Sequence, residues 1–231
     1  GGYQLYECNN TFFDNRGIGG RGLSYNNTDN KIYLGGGGGA GHCNNGFVPP
    51  TVNTNYNGGN GGGIILISAN TITANNYSIM SRGDSAFERN SSSGETHDGM
   101  GGGGAGGTVL ISINNYTNNL NVNVTGGKGG DMHASMLGGH IGPGGGGAGG
   151  VVWLKQSSIP SSVTVINNGG RGGYLLQENN NPYGTTGGST GVNVFNLQLP
   201  IDNVLFKPNI DSVRIKDSLK TCTDFDFKGL A

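Results

Sequence analysis

The chain alternates between short apolar runs and tracts of glycine. Ile64-Ile65-Leu66-Ile67-Ser68, Thr108-Val109-Leu110-Ile111-Ser112 and Val151-Val152-Trp153-Leu154 each follow a glycine tract, at 58–63, 101–107 and 144–150. These runs are rich in β-branched residues and bounded by turn formers, which predicts strands. Ile64 to Ile67 is apolar without interruption, which predicts burial on both faces. A second run follows each of the first: Tyr77-Ser78-Ile79-Met80-Ser81, Leu120-Asn121-Val122-Asn123-Val124 and Val163-Thr164-Val165-Ile166. The alternation over 120–124 predicts a strand with one wet face. Pairs such as Asn114-Asn115 and Asn45-Gly46 are ordinary turn chemistry. No segment carries a 3.6-residue stripe, so almost no α-helix is expected.

This pattern recurs. The first runs begin at 64, 108 and 151, spaced by 44 and 43 residues, and the glycines closing the second runs, Gly83, Gly126 and Gly169, are spaced by 43 and 43. A fixed period of this length marks a repeat architecture. Units fall near 58–100, 101–143 and 144–191. A degenerate copy at 17–57 passes from Gly17-Ile18-Gly19-Gly20-Arg21-Gly22 through Lys31-Ile32-Tyr33-Leu34 into the five glycines 35–39. The expected fold is all-β: a repetitive sheet or solenoid-like stack. Past Gly191 glycine nearly vanishes, Gly229 excepted, and Lys207, Lys216, Lys220 and Lys228 appear. The glycine-rich repeat domain is therefore placed at 1–206, ending in a last strand pair over 192–206. Residues 207–231 read as a linker and the start of a following β-domain. The opening Gly1-Gly2-Tyr3, without initiator Met or signal peptide, reads as an internal or processed piece of a larger product.

Composition changes what must hold such a stack together. Glycine is 49 of 231 residues, 33% of the chain is hydrophobic and 12% charged, against about 45–50% and 25% in ordinary globular chains. Side chains this sparse cannot build a large conventional core, so backbone hydrogen bonds must carry much of the load. A flexible linker is one reading of the tracts. Their fixed phase, and Ala40, Ala105 and Ala148 at one shared place, favour another: extended polyglycine helices of the polyproline-II type, with about three residues per turn and no internal hydrogen bonds. Packed side by side, such helices satisfy one another's N–H and C=O groups, and glycine permits the close approach. Lys plus Arg is 13 and Asp plus Glu 14, for a net charge of −1. With no basic run, nucleic acid is not an expected partner. No apolar run approaches the ~18 residues of a membrane span, so no membrane insertion is expected. Charge is too sparse for disorder by self-repulsion.

Candidate chemistry is thin. Cys8, Cys43 and Cys222 lack the CxxC spacing of a zinc site. Cys8 and Cys43 form the candidate disulfide, with Cys222 left to a partner elsewhere in the parent chain; three free thiols are the alternative. An exported, oxidising setting suits the composition. His42, His97, His133 and His140 flank glycine tracts, with Asp98 and Asp131 near two of them. Their spacings match no metal-ligand pattern, and they read as loop-surface residues. Asp84, Glu88, Glu95 and Asp98 share one loop with oxygens suited to Ca²⁺, but neither the EF-hand nor the nonapeptide pattern is present. No cofactor is expected, calcium standing only as an outside alternative. Arg82-Gly83-Asp84 spells an integrin-recognition tripeptide and reads as chance. The strands hold too few acids to nominate a glycosidase pair, and no Ser/His/Asp or Cys/His set can be placed. The tract 17–22 lacks the following helix that a phosphate loop requires.

Several motif strings carry a family resemblance. Asp29-Asn30-Lys31-Ile32-Tyr33-Leu34 running into five glycines, Ala40, Gly41 and His42 resembles a glycine-rich module of large exported surface proteins of Bacteroidota. So do 57–65 and the stretch from Gly142-Pro143 to Val151-Val152-Trp153. Parents of that module commonly end in a type IX secretion, gliding-motility-type sorting domain, which this chain lacks. The resemblance spans about 15 to 195 and implies an extracellular, cell-surface, adhesin-like or structural role, with no catalytic residue to carry over. It also implies O-glycosylation at Asp-Ser followed by an apolar residue, for which Ser85, Ser212 and Ser218 are candidates. Asn-x-Ser/Thr sequons such as Asn76-Tyr77-Ser78 matter only in a eukaryotic secretory route. The tracts are also similar to the glycine-rich regions of anaplastic-lymphoma-kinase-type receptors and of some phage adhesin tips, a likeness of architecture alone.

The expected function is a non-enzymatic extracellular module, an adhesin or rigid display element, whose loops 44–57, 84–100, 131–143 and 177–190 meet glycans or another surface. A structural spacer or self-assembling filament subunit, a β-helix polysaccharide-active enzyme and an ice-binding face are the rivals. The last lacks regular Thr ladders.

Overall fold

The structure is a computed structural model describing residues 17–23, 25, 31–41, 57–87, 99–132, 142–176, 179–180, 182 and 184–199. The chain separates into two compact units, Gly1–Gln198 and Leu199–Ala231, and of the second only Leu199 is described. Residues 200–206 of the strand pair expected over 192–206, and the linker and start of a following β-domain expected at 207–231, lie outside the described residues.

Seven strands follow one another: β1 Ile64–Thr73, β2 Ser78–Met80, β3 Thr108–Thr117, β4 Leu120–Asn123, β5 Val151–Leu154, β6 Val163–Ile166 and β7 Val192–Val194. The described residues contain no helix. Odd strands form one parallel sheet in the order β1-β3-β5-β7, and even strands a second in the order β2-β4-β6. Registers repeat: Leu66 stands beside Leu110 and Leu110 beside Trp153, while Ile79 stands beside Val122 and Val122 beside Val165. Each strand therefore pairs with one lying 43 or 44 residues away, and with 41 between β5 and β7.

An Asn-rich turn carries the chain from one sheet to the other. Asn75, Asn76 and Asn118 adopt φ of 47°, 64° and 64°, a left-handed conformation that Asn tolerates better than other side chains. Successive turns bond to each other, Asn118 Nδ2 donating to Asn75 Oδ1 at 2.7 Å. The turn expected at Asn114-Asn115 is corrected: both residues continue β3, where Asn114 Nδ2 donates to Asn70 Oδ1 of β1 at 2.9 Å.

The side-chain core lies between the sheets. Val109, Ile111 and Ile113 of β3 and Val152 and Leu154 of β5 meet Leu120, Val122, Val124 and Val163. In β4 the leucine and valine are buried and the two asparagines half-buried, as the alternation predicts. Burial on both faces belongs to β3, where Thr108 to Ile113 are all buried. The expectation for β1 is corrected: Ile65 and Ile67 pack on the core, but Ile64 and Leu66 are 42% and 48% exposed. Among the described residues β1 is an edge strand of its sheet, as is β7, and nothing in its apolar run distinguishes an edge from a centre. Over β3 and β5 the second face is covered by Tyr25 and Tyr33. The Tyr25 ring meets Trp153 and Tyr33 edge-on at 5.8 and 5.7 Å, and Thr108 Oγ1 donates to the Tyr33 carbonyl at 2.8 Å.

Beyond the sheets lies a layer of extended, glycine-rich segments. A middle row of four (57–63, 99–107, 142–150 and 184–191) runs directly into β1, β3, β5 and β7. A second row of three (81–87, 124–132 and 167–176) leaves β2, β4 and β6. On the opposite side of the middle row lie 31–41 and 17–23. Backbone hydrogen bonds run between these segments and turn to a new neighbour at each residue. Met100, Gly103 and Gly106 donate to the Gly142, Gly145 and Ala148 carbonyls at 2.8–2.9 Å. Gly102 and Ala105 donate to Gly39 and Gly36, and Gly104 and Gly107 to Asp84 and Ser81. One chain of bonds crosses the two rows: Gly188 to Gly170, Gly170 to Gly147, Gly147 to Gly127, Gly127 to Gly104 and Gly104 to Asp84, each 2.8–2.9 Å.

Glycine is required here for space. Gly184 is the sole glycine at positive φ among the described residues. A Cβ at Gly147 would overlap the Gly104 carbonyl, and one at Gly104 the Asn60 carbonyl.

Three expected loops shrink accordingly. Residues 84–87, 131–132 with 142–143, and 184–190 belong to the layer, so the segment 81–87 joins it although Gly83 is its one glycine. The stretch 31–34, read as part of a degenerate unit, forms no strand.

Candidate functional site

The layer has two unlike ends. At one the middle row becomes strands. At the other the roots of the variable segments gather. Gly99 and Gly142 form a parallel bridge, as do Met132 and Leu175. Gly130 donates to Gly101, Gly144 to Gly130 and Gly173 to Gly144, at 2.7–3.0 Å. Gly41 abuts the Gly99 carbonyl, and Gly101 the Asn57 carbonyl, so closely that neither site could hold a Cβ. The described residues that flank 42–56, 88–98 and 133–141 thus lie at this one end of the layer, as do those on either side of 177–183, where Thr185 Oγ1 donates to the Gly173 carbonyl at 2.8 Å.

An ion cluster fastens this end. Asp131, 4% exposed, receives Arg171 Nη1 at 2.8 Å and Nη2 at 2.6 Å, the Tyr174 N–H at 2.9 Å and Lys128 Nζ at 3.2 Å. The Arg171 guanidinium lies 4.4 Å from the centre of the Tyr174 ring. A two-pronged Arg–carboxylate pair gives direction as well as charge, and it locks 124–132 to 167–176. Burial opposes the Asp131 charge, but the bonds from Arg171, Tyr174 and Lys128 outweigh it and hold the carboxyl below its ordinary range.

Among the other sequence candidates, Asp131 is taken up by this cluster and is no spare metal ligand. His42, His97, His133, His140, Glu88, Glu95, Asp98, Cys8, Cys43, Cys222, Ser212 and Ser218 lie outside the described residues. Ser85 is exposed, and its hydroxyl accepts the Lys128 N–H at 3.1 Å. Asp84 accepts a bond from Asn60 Nδ2 at 3.1 Å. Arg82-Gly83-Asp84 is corrected from a loop to a packed segment, because a Cβ at Gly83 would overlap the Gly104 carbonyl. Among the described residues no group of three His, Cys, Asp or Glu side chains comes together. Sequence reading passed over the roles of Lys128, Arg171 and Tyr174. A signal was present: Lys128 and Arg171 occupy the same place in two Gly-Gly-x-Gly-Gly tracts, 43 residues apart.

Fold and site together define a β-rich protein of parallel ladders and close-packed glycine backbone, with its variable segments rooted at one end. Comparison with protein-family models, with characterised proteins and with solved structures finds no match.

Proposed function

We propose that this chain is a non-enzymatic display module of an exported, cell-surface protein, contacting glycans or another surface through the segments rooted at one end of its glycine layer. The observation that carries this reading is the pair of parallel bridges, Gly99 with Gly142 and Met132 with Leu175, which bring the roots of successive variable segments side by side. A stiff platform lowers the ordering penalty that binding exacts from its contact residues. We read the platform as a solenoid-like stack of units of about 43 residues with polyglycine-II helices beside the strands. Register offsets of 43 and 44, and backbone bonds that turn to a new neighbour at each residue, support that reading.

The test is binding of the folded chain to a panel of polysaccharides and cell surfaces, with calcium and with chelator. Saturable binding that disappears when 88–98 or 133–141 is replaced by a Gly-Ser linker supports display. Absence of binding by folded protein rejects it in favour of a spacer. That second reading has its own support in the exposed Ile64 and Leu66 of edge strand β1, a surface suited to end-to-end self-assembly. Sedimentation velocity over a concentration series measures it.

A further inference from the structure

Among the described residues the seam between 99–107 and 142–150 is covered on one side only. On the second-row side 124–132 fills it, donating from Gly127 and Gly130 to Gly104 and Gly101 and accepting from Gly144, Gly147 and Gly150. On the opposite side, 31–41 covers the preceding seam, 17–23 covers the following one, and between them a cavity of about 390 Å³ remains. Its floor holds Gly103, Ala105, Gly106 and Ala148, and its walls include Gly36 and Arg21. Among the described residues the Gly145 and Ala148 N–H groups and the Gly103 and Gly106 carbonyls have no hydrogen-bond partner.

The following seam shows what such groups hold. There Gly20 donates to the Gly146 carbonyl at 2.8 Å, and Thr186 and Ser189 donate to the Gly17 and Gly20 carbonyls at 3.1 and 3.0 Å. The register offsets of 43 and 41 map Gly146 onto Gly103, and Thr186 and Ser189 onto Gly145 and Ala148. The vacant seam therefore presents one carbonyl and two amides in the arrangement that 17–23 engages one step further on. The same offset maps Ala148 onto Ala105. Gly20 sits over the Ala148 methyl, where a Cβ would lie 3.5 Å from it and 2.9 Å from the Ala148 nitrogen. A Cβ at Gly19 would overlap the Gly187 carbonyl. Ile18 and Leu23, by contrast, are 67% and 50% exposed.

We infer that this slot binds an extended segment of another polypeptide with the pattern Gly-x-Gly-Gly-x-Gly. The segment runs parallel to 99–107, accepts hydrogen bonds from the Gly145 and Ala148 amides, donates to the Gly103 carbonyl and sets a glycine over Ala105. Side chains at x face solvent, so the slot selects for absent Cβ atoms at fixed places, a backbone-reading mode akin to strand addition at a sheet edge. The site is independent of the variable segments and of the display reading.

The probe is a fluorescein-labelled peptide, Gly-Ile-Gly-Gly-Arg-Gly-Leu, titrated with the full chain by fluorescence anisotropy. A second peptide carries alanine at its third and fourth residues. Expected results are saturable binding of the first peptide, at least tenfold weaker binding of the second, and at least tenfold loss in Ala105→Leu, whose side chain fills the slot. Amide exchange of the wild-type chain gives a readout that does not depend on the variant folding: Gly145 and Ala148 become protected when peptide is present. Self-association that the peptide disperses would support the slot and identify a second copy as its source. Absence of saturable binding at millimolar peptide, equal binding of the alanine peptide, or unchanged exchange at Gly145 and Ala148 would overturn the proposal.

Discussion

The paired sheets and the glycine layer solve the same problem with different atoms. Between the sheets, Val109, Ile111, Val122 and Val152 are fully buried and hold β3, β4 and β5 together by apolar contact. In the glycine layer Gly104, Gly127, Gly147 and Gly170 have no side chain to bury and hold neighbouring segments through a continuous run of N–H to C=O bonds. Apolar contact is non-directional and tolerates exchanges of similar volume. A backbone array has direction and spacing but little slack, because each of these four glycines stands where a methyl group would enter a neighbour's carbonyl. The layer should therefore be the less tolerant half, although the sandwich carries the hydrophobic residues.

Substitution at a packed glycine should break this comparison hardest. Gly147→Val drives a branched side chain into the Gly104 and Gly103 carbonyls. Overpacking typically costs about 1–3 kcal/mol where side chains can shift; here two backbones must separate, and loss of the cooperative urea transition is expected. Truncation in the sandwich should cost less. Ile111→Ala is expected to lower stability by about 2–5 kcal/mol, read as a fall in the urea midpoint, while the chain still unfolds cooperatively. If Ile111→Ala proved the more damaging, the ranking of the two halves would be reversed.

Smaller effects sharpen the contrast within the layer. Asp131→Asn leaves Arg171 and Lys128 without their carboxylate and should cost about 1–3 kcal/mol, discounted toward the lower end because Arg171 is partly exposed. The wild-type pH dependence follows from the same group. Its carboxyl is held low in the folded chain. Its contribution is thus complete above the unfolded value of about 3.9 and is lost as pH falls through the lower folded value. Urea midpoints between pH 6 and pH 2 should show this loss for wild type and a shallower one for Asp131→Asn. The smallest effect has the opposite sign. A Cβ at Gly63 would meet nothing within 4 Å, and its φ is not in the left-handed region. Gly63→Ala should stabilise by about 0.4–1 kcal/mol through the unfolded chain. Destabilisation there would show that glycine in the layer is needed for conformation as well as for space.

Much of the strand framework was legible because period and phase are one-dimensional. The runs at 64, 108 and 151 share their place after a glycine tract, and all three pair in parallel at the spacing with which they recur. The expected wet face of β4 was legible from Asn121 and Asn123 for the same reason. Ile64 and Leu66 misled because an apolar strand reads alike at the centre and at the edge of a sheet. The segment 81–87 was overlooked as a packed element because composition weights glycine number. Gly83 alone meets a carbonyl there, while Ser81 and Ala86 are small enough to be buried with it. At the candidate site the spacing of Lys128 and Arg171 was visible, but their shared carboxylate was not. Asp131 became their partner only when 124–132 and 167–176 lay side by side.

The sequence by itself determined the β character, the spacing of the strands and the places where backbones must touch, since these follow from local pattern and from the absence of Cβ atoms. Only the tertiary structure decided which strand is an edge, which carboxylate is buried and which seam of the glycine layer the described residues leave uncovered. Those depend on the neighbour that lies 40 or more residues away, and hydrogen-bond directions between segments leave no mark in the order of residues.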